Sequence, residues 1–248
     1  MRRYILFLAA SFVLTVSSLG LAGPVELVHG PIHHVRRITY TTVYSTNWAG
    51  YAASGSEGDF SSVSANWSQP AVTCASGETS YSSYWIGLDG YNSKTVEQIG
   101  TASDCKNGKP TYYAWYEMYP KFGAICSLEV SAGDAISASV SYDRGSGQIR
   151  AKLVDGSDTC TATAKATGSM ARSSAEVIVE APSSNHGPGS TLGLADFGTV
   201  TFTGATVDGA KFARSSPDEI IMGTTDSVKA QPSSLTKGRF SVTWKSSS

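Results

Sequence analysis

Three carboxylates beside aromatics, two tryptophans and a glutamine crowd into residues 81–120, YSSYWIGLDGYNSKTVEQIGTASDCKNGKPTYYAWYEMYP. Asp89, Glu97 and Glu117 stand beside Trp85 and Trp115, with Gln98 between them. Two more acids, Glu176 and Glu180, occupy AEVIVE further along. Carboxyl groups take and give protons to reacting atoms. A neutral side-chain amide donates hydrogen bonds without adding charge. This set therefore offers acid–base chemistry at a surface of acids and aromatic rings.

Other hydrolytic chemistries lack their parts. Residues 46–248 hold a single histidine, His186, in a Gly/Pro-rich loop, and there is no Gly-x-Ser-x-Gly, which leaves a serine triad poorly supported. His-Glu-x-x-His, Asp-Thr-Gly and Asp-Ser-Gly are absent. Four cysteines in a chain read as exported favour two disulfides over a thiol nucleophile. Closeness in sequence favours Cys74–Cys105 and Cys126–Cys160 among three possible connectivities. No metal-ligand spacing or cofactor motif stands out, so neither is expected.

The elements that must carry these groups read as strands. From Asn47 onward Ser, Thr, Val, Tyr and Gly dominate, without a sustained helical period. Turn pairs recur at Asp89-Gly90, Asn107-Gly108, Arg144-Gly145, Asp155-Gly156, Asp208-Gly209 and Lys237-Gly238. Candidate strands include Ser61–Ser68, Tyr84–Leu88, Val96–Gly100, Tyr112–Tyr119, Ala175–Glu180 and Arg239–Trp244. Alternation places Trp85 and Asp89 on one face, and Tyr113, Trp115, Glu117 and Tyr119 on another. Glu176, Ile178 and Glu180 likewise oppose Ala175, Val177 and Val179. Adjacent strands of this kind would line a cleft with carboxyls and indoles. Many short strands in one domain predict an all-β sandwich of two antiparallel sheets.

SSYWIGLDG, EQIG, YYAWYEMYP and AEVIVE, in that order and spacing, resemble the eqolisins, or glutamic peptidases. STNWAGYAASG, ADFGTVTFTGATVDG and FSVTW extend the resemblance from about Asn47 to Trp244. The resemblance implies a sandwich of two curved antiparallel sheets, of the concanavalin A-like or glucanase-like jelly-roll kind. It places the catalytic glutamine on Gln98 and the catalytic glutamate on Glu180, and the cleft walls on Trp85, Asp89, Trp115, Glu117 and Glu176. It also implies a secreted endopeptidase acting on protein or peptide substrates at acid pH. The sequence departs from the family pattern at Ile99, after the glutamine, and at Ala181-Pro182, after the glutamate.

Residues 1–23 read as a secretory signal peptide, with Arg2 and Arg3 before an apolar run too short to span a bilayer. Residues 24–45 form a short basic leader with three of the four histidines. This leader reads either as a propeptide docked on an acidic cleft or as a linker, ahead of a domain at 46–248. The net charge of −1 and the lack of a basic block exclude an electrostatic nucleic-acid partner. No membrane partner is expected after signal cleavage, and a monomer is the default. A carbohydrate-binding sandwich or a two-carboxylate glycosidase would use the same residue types, so both stand as alternatives.

Overall fold

The computed structural model describes residues 27–37, 41–121, 123–184 and 191–248. The predicted signal peptide and His186 lie outside these residues. The described chain is built of strands: β1 (Leu27–Val28), β2 (His34–Arg37), β3 (Thr42–Ser45), β4 (Trp48–Ser54), β5 (Ser62–Ser68) and β6 (Ser83–Leu88). Next come β7 (Val96–Lys106), β8 (Lys109–Tyr119), β9 (Ala124–Ile125), β10 (Ala135–Asp143), β11 (Gln148–Asp155), β12 (Asp158–Lys165) and β13 (Ser174–Glu180). The remainder are β14 (Ser183–Ser184), β15 (Thr199–Val207), β16 (Ala210–Lys211), β17 (Asp218–Gly223), β18 (Val228–Pro232) and β19 (Phe240–Trp244). Among the described residues no helix is long and apolar enough to cross a membrane.

Two layers result. One runs β2-β3-β17-β4-β13-β6-β7-β8-β9, antiparallel except where β3 pairs parallel with β17. The other runs β12-β11-β10-β5-β15. The first half of β15 pairs with β19, which joins the first layer through β18 and β17, and the second half pairs with β5 of the other, with a register shift between Thr203 and Thr206. One strand thus joins the layers. The core between them takes Ile86, Leu88, Ile99, Val177 and Val179 from one side and Val63, Trp67, Ile136, Val140, Ile149 and Leu153 from the other.

The two layers differ in how their strands are buried. In β10 and β11, buried Ile136, Ala138, Val140, Ile149, Ala151 and Leu153 alternate with more exposed polar residues, as one wet face requires. In β6 and β13 every residue is buried, and in β7 every residue but the last. The far face of this layer carries a second apolar cluster, Trp48, Trp85, Val96, Trp115, Ile178 and Ile220, with the acids set among it. Tyr91, Tyr113, Tyr119 and Ile32 pack against that cluster.

β7 and β8 are longer than their apolar cores suggest, because they extend through Ser103, Asp104 and Thr111 to the Asn107-Gly108 turn. Both turn residues have positive φ, 55° and 76°, the geometry of a two-residue type I′ hairpin. Cys74–Cys105 ties the end of β7 to the loop before β6, and Cys126–Cys160 ties the first layer's edge to β12 of the second. Their sequence separations of 31 and 34 correspond to about 3–4 kcal/mol of loop-closure stabilisation each.

Candidate active site

Register puts the predicted residues in rows across the far face. Glu176, Gly87, Gln98 and Glu117 form one row over β13, β6, β7 and β8. Ile178, Trp85, Gly100 and Trp115 form the next, and Glu180, Ser83, Ala102 and Tyr113 the third. Gln98 and Glu180 therefore stand on a diagonal, two strands and two rows apart. The Trp85 indole lies lengthwise between them. A Cβ on Gly87 would come within 3.0 Å of its Cζ3, while its Nε1 donates to Glu180 Oε2 at 2.9 Å. Across the ladder a Cβ on Gly100 would meet Tyr84 O at 2.3 Å and Trp85 Cβ at 2.5 Å. A residue larger than glycine at position 100 would push Trp85 out of place.

Glu180 is buried at the end of β13. Its other oxygen, Oε1, accepts from Asn47 Nδ2 at 3.4 Å. Burial holds its carboxyl well above the usual carboxylate range, against the pull of the Trp85 and Asn47 donors. Trp48, paired opposite Glu180 on β4, packs edge-on against Trp85 with ring centroids 4.9 Å apart.

One residue of the leader spans the diagonal. The side-chain amide of Gln98 donates to the His29 carbonyl oxygen. The His29 backbone N–H donates to Glu117 Oε2 at 2.9 Å. The His29 ring lies flat on Trp115, with centroids 3.7 Å apart and planes 9° from parallel, and its Nδ1 is 3.3 Å from Glu180 Oε2. Burial lowers the imidazole to about 4, although the Glu117 and Asp104 charges oppose that shift. Burial thus disfavours the charged form of each partner in this contact. Glu117 is pushed up to about 8 by burial, with His29 opposing.

The structure thus gathers Gln98, Glu180, Trp115 and Glu117 around His29, with Trp85 hydrogen-bonded to Glu180. Asp89 is turned toward the chain before β13, and Glu176 lies in the Gln98 row, beyond Gly87. Asp89 Oδ2 accepts from Arg172 N at 2.7 Å, and Oδ1 accepts from Ser173 N at 2.9 Å, so this carboxylate anchors the approach to β13. Glu176 is buried beside Gly87, its carboxyl held well above the usual range by burial, with Asp89 and Glu97 adding to the effect. Glu97 points to the other face, next to Asp89, and is pushed up to about 9 by burial and by the Asp89 charge.

His29, Asn47 and Asp104 were not singled out as site residues from the sequence. Asp104 accepts from Tyr113 OH at 2.9 Å and is raised to about 6 by burial. STNWAG, which opens the family-like region, holds the only sequence signal for Asn47. His29 carries none beyond its place in a basic leader.

The far face of this β-sandwich thus sets a side-chain amide and a buried carboxyl around one leader residue. The model of the Peptidase A4 family matches residues 46–244, and the chain belongs to that family, the eqolisins. It is 31% identical over 185 residues to Aspergillopepsin-2 of Aspergillus niger, covering 65% of this chain. The matched region spans 64% of that relative's length. Scytalido-glutamic peptidase, solved with a transition state analog inhibitor, superposes with a TM-score of 0.67 at 25% identity, covering 81% of this chain and 98% of that one. SCP-B, an eqolisin solved in complex with the tripeptide Ala-Ile-His, gives a TM-score of 0.66 at 25% identity, with the same coverages.

Proposed function

We propose that this chain is a secreted acid endopeptidase in which Glu180 activates water and Gln98 stabilises the oxyanion. The observation that carries the reading is the seat of the His29 carbonyl. A peptide C=O accepts from the Gln98 amide while Glu180 stands beside the same residue. An amide carbonyl needs a donor where negative charge develops and a base to deprotonate the attacking water. The water oxygen bonds to the carbonyl carbon as its proton passes to Glu180. The Gln98 N–H then holds the oxyanion. Collapse breaks the C–N bond, and Glu180 returns the proton to the leaving nitrogen.

The surroundings suit this cycle. Trp85 and Asn47 donate to Glu180 and favour its ionised form, the form that accepts the proton. A neutral amide beside it avoids the repulsion of a second carboxylate. Trp115 and Glu117 hold the side chain and N–H of the residue whose carbonyl meets Gln98. Asp89 anchors the approach to β13. The relative solved with Ala-Ile-His supports a peptide ligand, and in this chain Leu27-Val28-His29 also ends in histidine.

Proteolysis of a denatured protein at acid pH tests the reading. Gln98→Ala should lower kcat by about 10²–10³ with the fold intact. Undiminished turnover would remove Gln98 from the mechanism. Release of sugar from a glycan by the wild type, without proteolysis, would favour a glycosidase instead.

A further inference from the structure

We propose that Ser45 is a positioning residue for the reaction, fixing the Asn47 side-chain amide with its nitrogen toward Glu180. The inference rests on the dyad reading above. Ser45 ends β3, one residue ahead of the region that the family model matches, and it is fully buried. Its backbone is fixed by the parallel ladder of β3 and β17, in which Ser45 pairs with Met222. Asn47 follows just before β4, and its carbonyl accepts from the Ala181 N–H at 2.9 Å, next to Glu180. Both ends of the relay are therefore tied to strands of the same layer.

The Ser45 hydroxyl has one way to bond. Its Oγ accepts from the Asn47 N–H at 3.2 Å and from the Trp48 N–H at 3.0 Å. A serine hydroxyl has two acceptor lone pairs and one donor hydrogen. Both lone pairs are taken, so the hydrogen goes to Asn47 Oδ1, at 2.9 Å. The His33 N–H, which can only donate, meets the same oxygen at 2.8 Å. Two donors on Oδ1 leave Nδ2 to face Glu180 Oε1 and Pro31 O, each at 3.4 Å. Turned over, the amide would set its oxygen against the Glu180 carboxylate and its N–H groups against two donors. A substrate carbonyl at Gln98 takes the seat of the His29 carbonyl, so the neighbouring contacts of Pro31 and His33 change during turnover. The Ser45 hydroxyl is the donor that β3 and β17 keep in place. The titratable groups facing Glu180 are His29 and Glu117, and a change at Ser45 leaves both as they are. From β6 and β4 it meets the uncharged Trp85 and Trp48.

The test compares the full wild-type chain with Ser45→Ala and Ser45→Cys, each alone and combined with Asn47→Ala, by steady-state proteolysis across acid pH. Loss of the hydroxyl should move the rising limb of the pH–rate profile up in pH. On that limb kcat should fall by about 2–10-fold, the effect of one hydrogen bond, with KM within about twofold. Ser45→Cys, a weaker donor of similar size, should fall between wild type and Ser45→Ala. With Asn47→Ala in place the Ser45 changes should shift nothing further, because the amide they act through is gone. The infrared band of the protonated Glu180 carboxyl, identified by its loss in Glu180→Gln, reads the same titration without turnover. Equal shifts with and without Asn47→Ala, or no shift by either readout, would overturn the proposal and leave Ser45 as a turn residue that affects Tm alone. A band whose midpoint rises in Ser45→Ala while the rate profile stays still would keep the positioning role and reject Glu180 as the base.

Discussion

At the scale of residues, the far face of the sheet works through one indole. Trp85 reaches from Gly87 to Glu180, and its Nε1 gives that carboxyl its shorter hydrogen bond, 2.9 Å against 3.4 Å from Asn47. Trp85→Phe keeps most of the packing and removes the donor. A hydrogen bond to an ionised group contributes about 1.5–3 kcal/mol, so Glu180 should titrate higher still without it. The rising limb of the pH–rate profile should move up in pH accordingly, with KM little changed. An unmoved limb would show that Trp85 only packs. Gly100 is the second control, because a Cβ there would press on Tyr84 O and Trp85 Cβ. Gly100→Ala should therefore lower Tm and kcat together, by the roughly 1–3 kcal/mol typical of overpacking.

At the scale of elements, Asp89 separates a wall of the cleft from an anchor of the fold. Its two oxygens accept the backbone N–H groups of Arg172 and Ser173, which lead into β13. Asp89→Ala would leave two donors without partners, at about 1–3 kcal/mol each. Thermal melts should show that loss, while KM for peptides stays within about twofold, as expected of a change that leaves Gln98 and Glu180 in place. A large rise in KM with unchanged Tm would return Asp89 to the cleft wall. Much of this layer was legible beforehand. Alternation assigned Trp115 and Glu117 to one face and Glu176 and Glu180 to another, and burial in both apolar clusters matches that assignment. β4, β12 and β18 were not anticipated, because Ala- and Thr-rich or Pro-ended segments show little period-two contrast. Family-like spacing singled out Gln98 and Glu180. Nothing local could reveal that they face one leader residue across a diagonal, because that follows from three register choices. Asp89 has aromatic and glycine neighbours like those of a cleft acid, and sequence pattern cannot show which way a carboxylate turns at a strand end.

At the scale of the whole molecule, the buried acids make stability depend on pH. Glu97 is pushed up to about 9 and Glu117 to about 8, and Glu176 and Glu180 lie well above the ordinary range, each chiefly through burial. Their pKa values in the folded chain exceed the ordinary glutamate value of 4.5. Below that value both states are protonated and the stabilising contribution is fully present. Above it the unfolded chain ionises first, and stability falls by up to about 1.4 kcal/mol per pH unit for each group until its folded pKa is reached. His29 works the other way. Its folded value of about 4 against 6.5 removes some stability as pH drops through that window. Tm should therefore be highest near pH 4–5, close to the ordinary carboxylate range, and fall steadily toward pH 8. A Tm that is flat or rising over that range would contradict the burial of these acids in neutral form.

The central claim is that Glu180 is the group that activates water. Glu180→Gln keeps the size of the side chain and one acceptor oxygen, which suffices for either the Trp85 or the Asn47 donor, while removing the base. Steady-state proteolysis at acid pH, in the wild-type background and in His29→Ala, tests this directly. The account predicts a fall in kcat of at least about 10²-fold in both backgrounds, with Tm and KM nearly unchanged. Wild-type kcat in Glu180→Gln would contradict it.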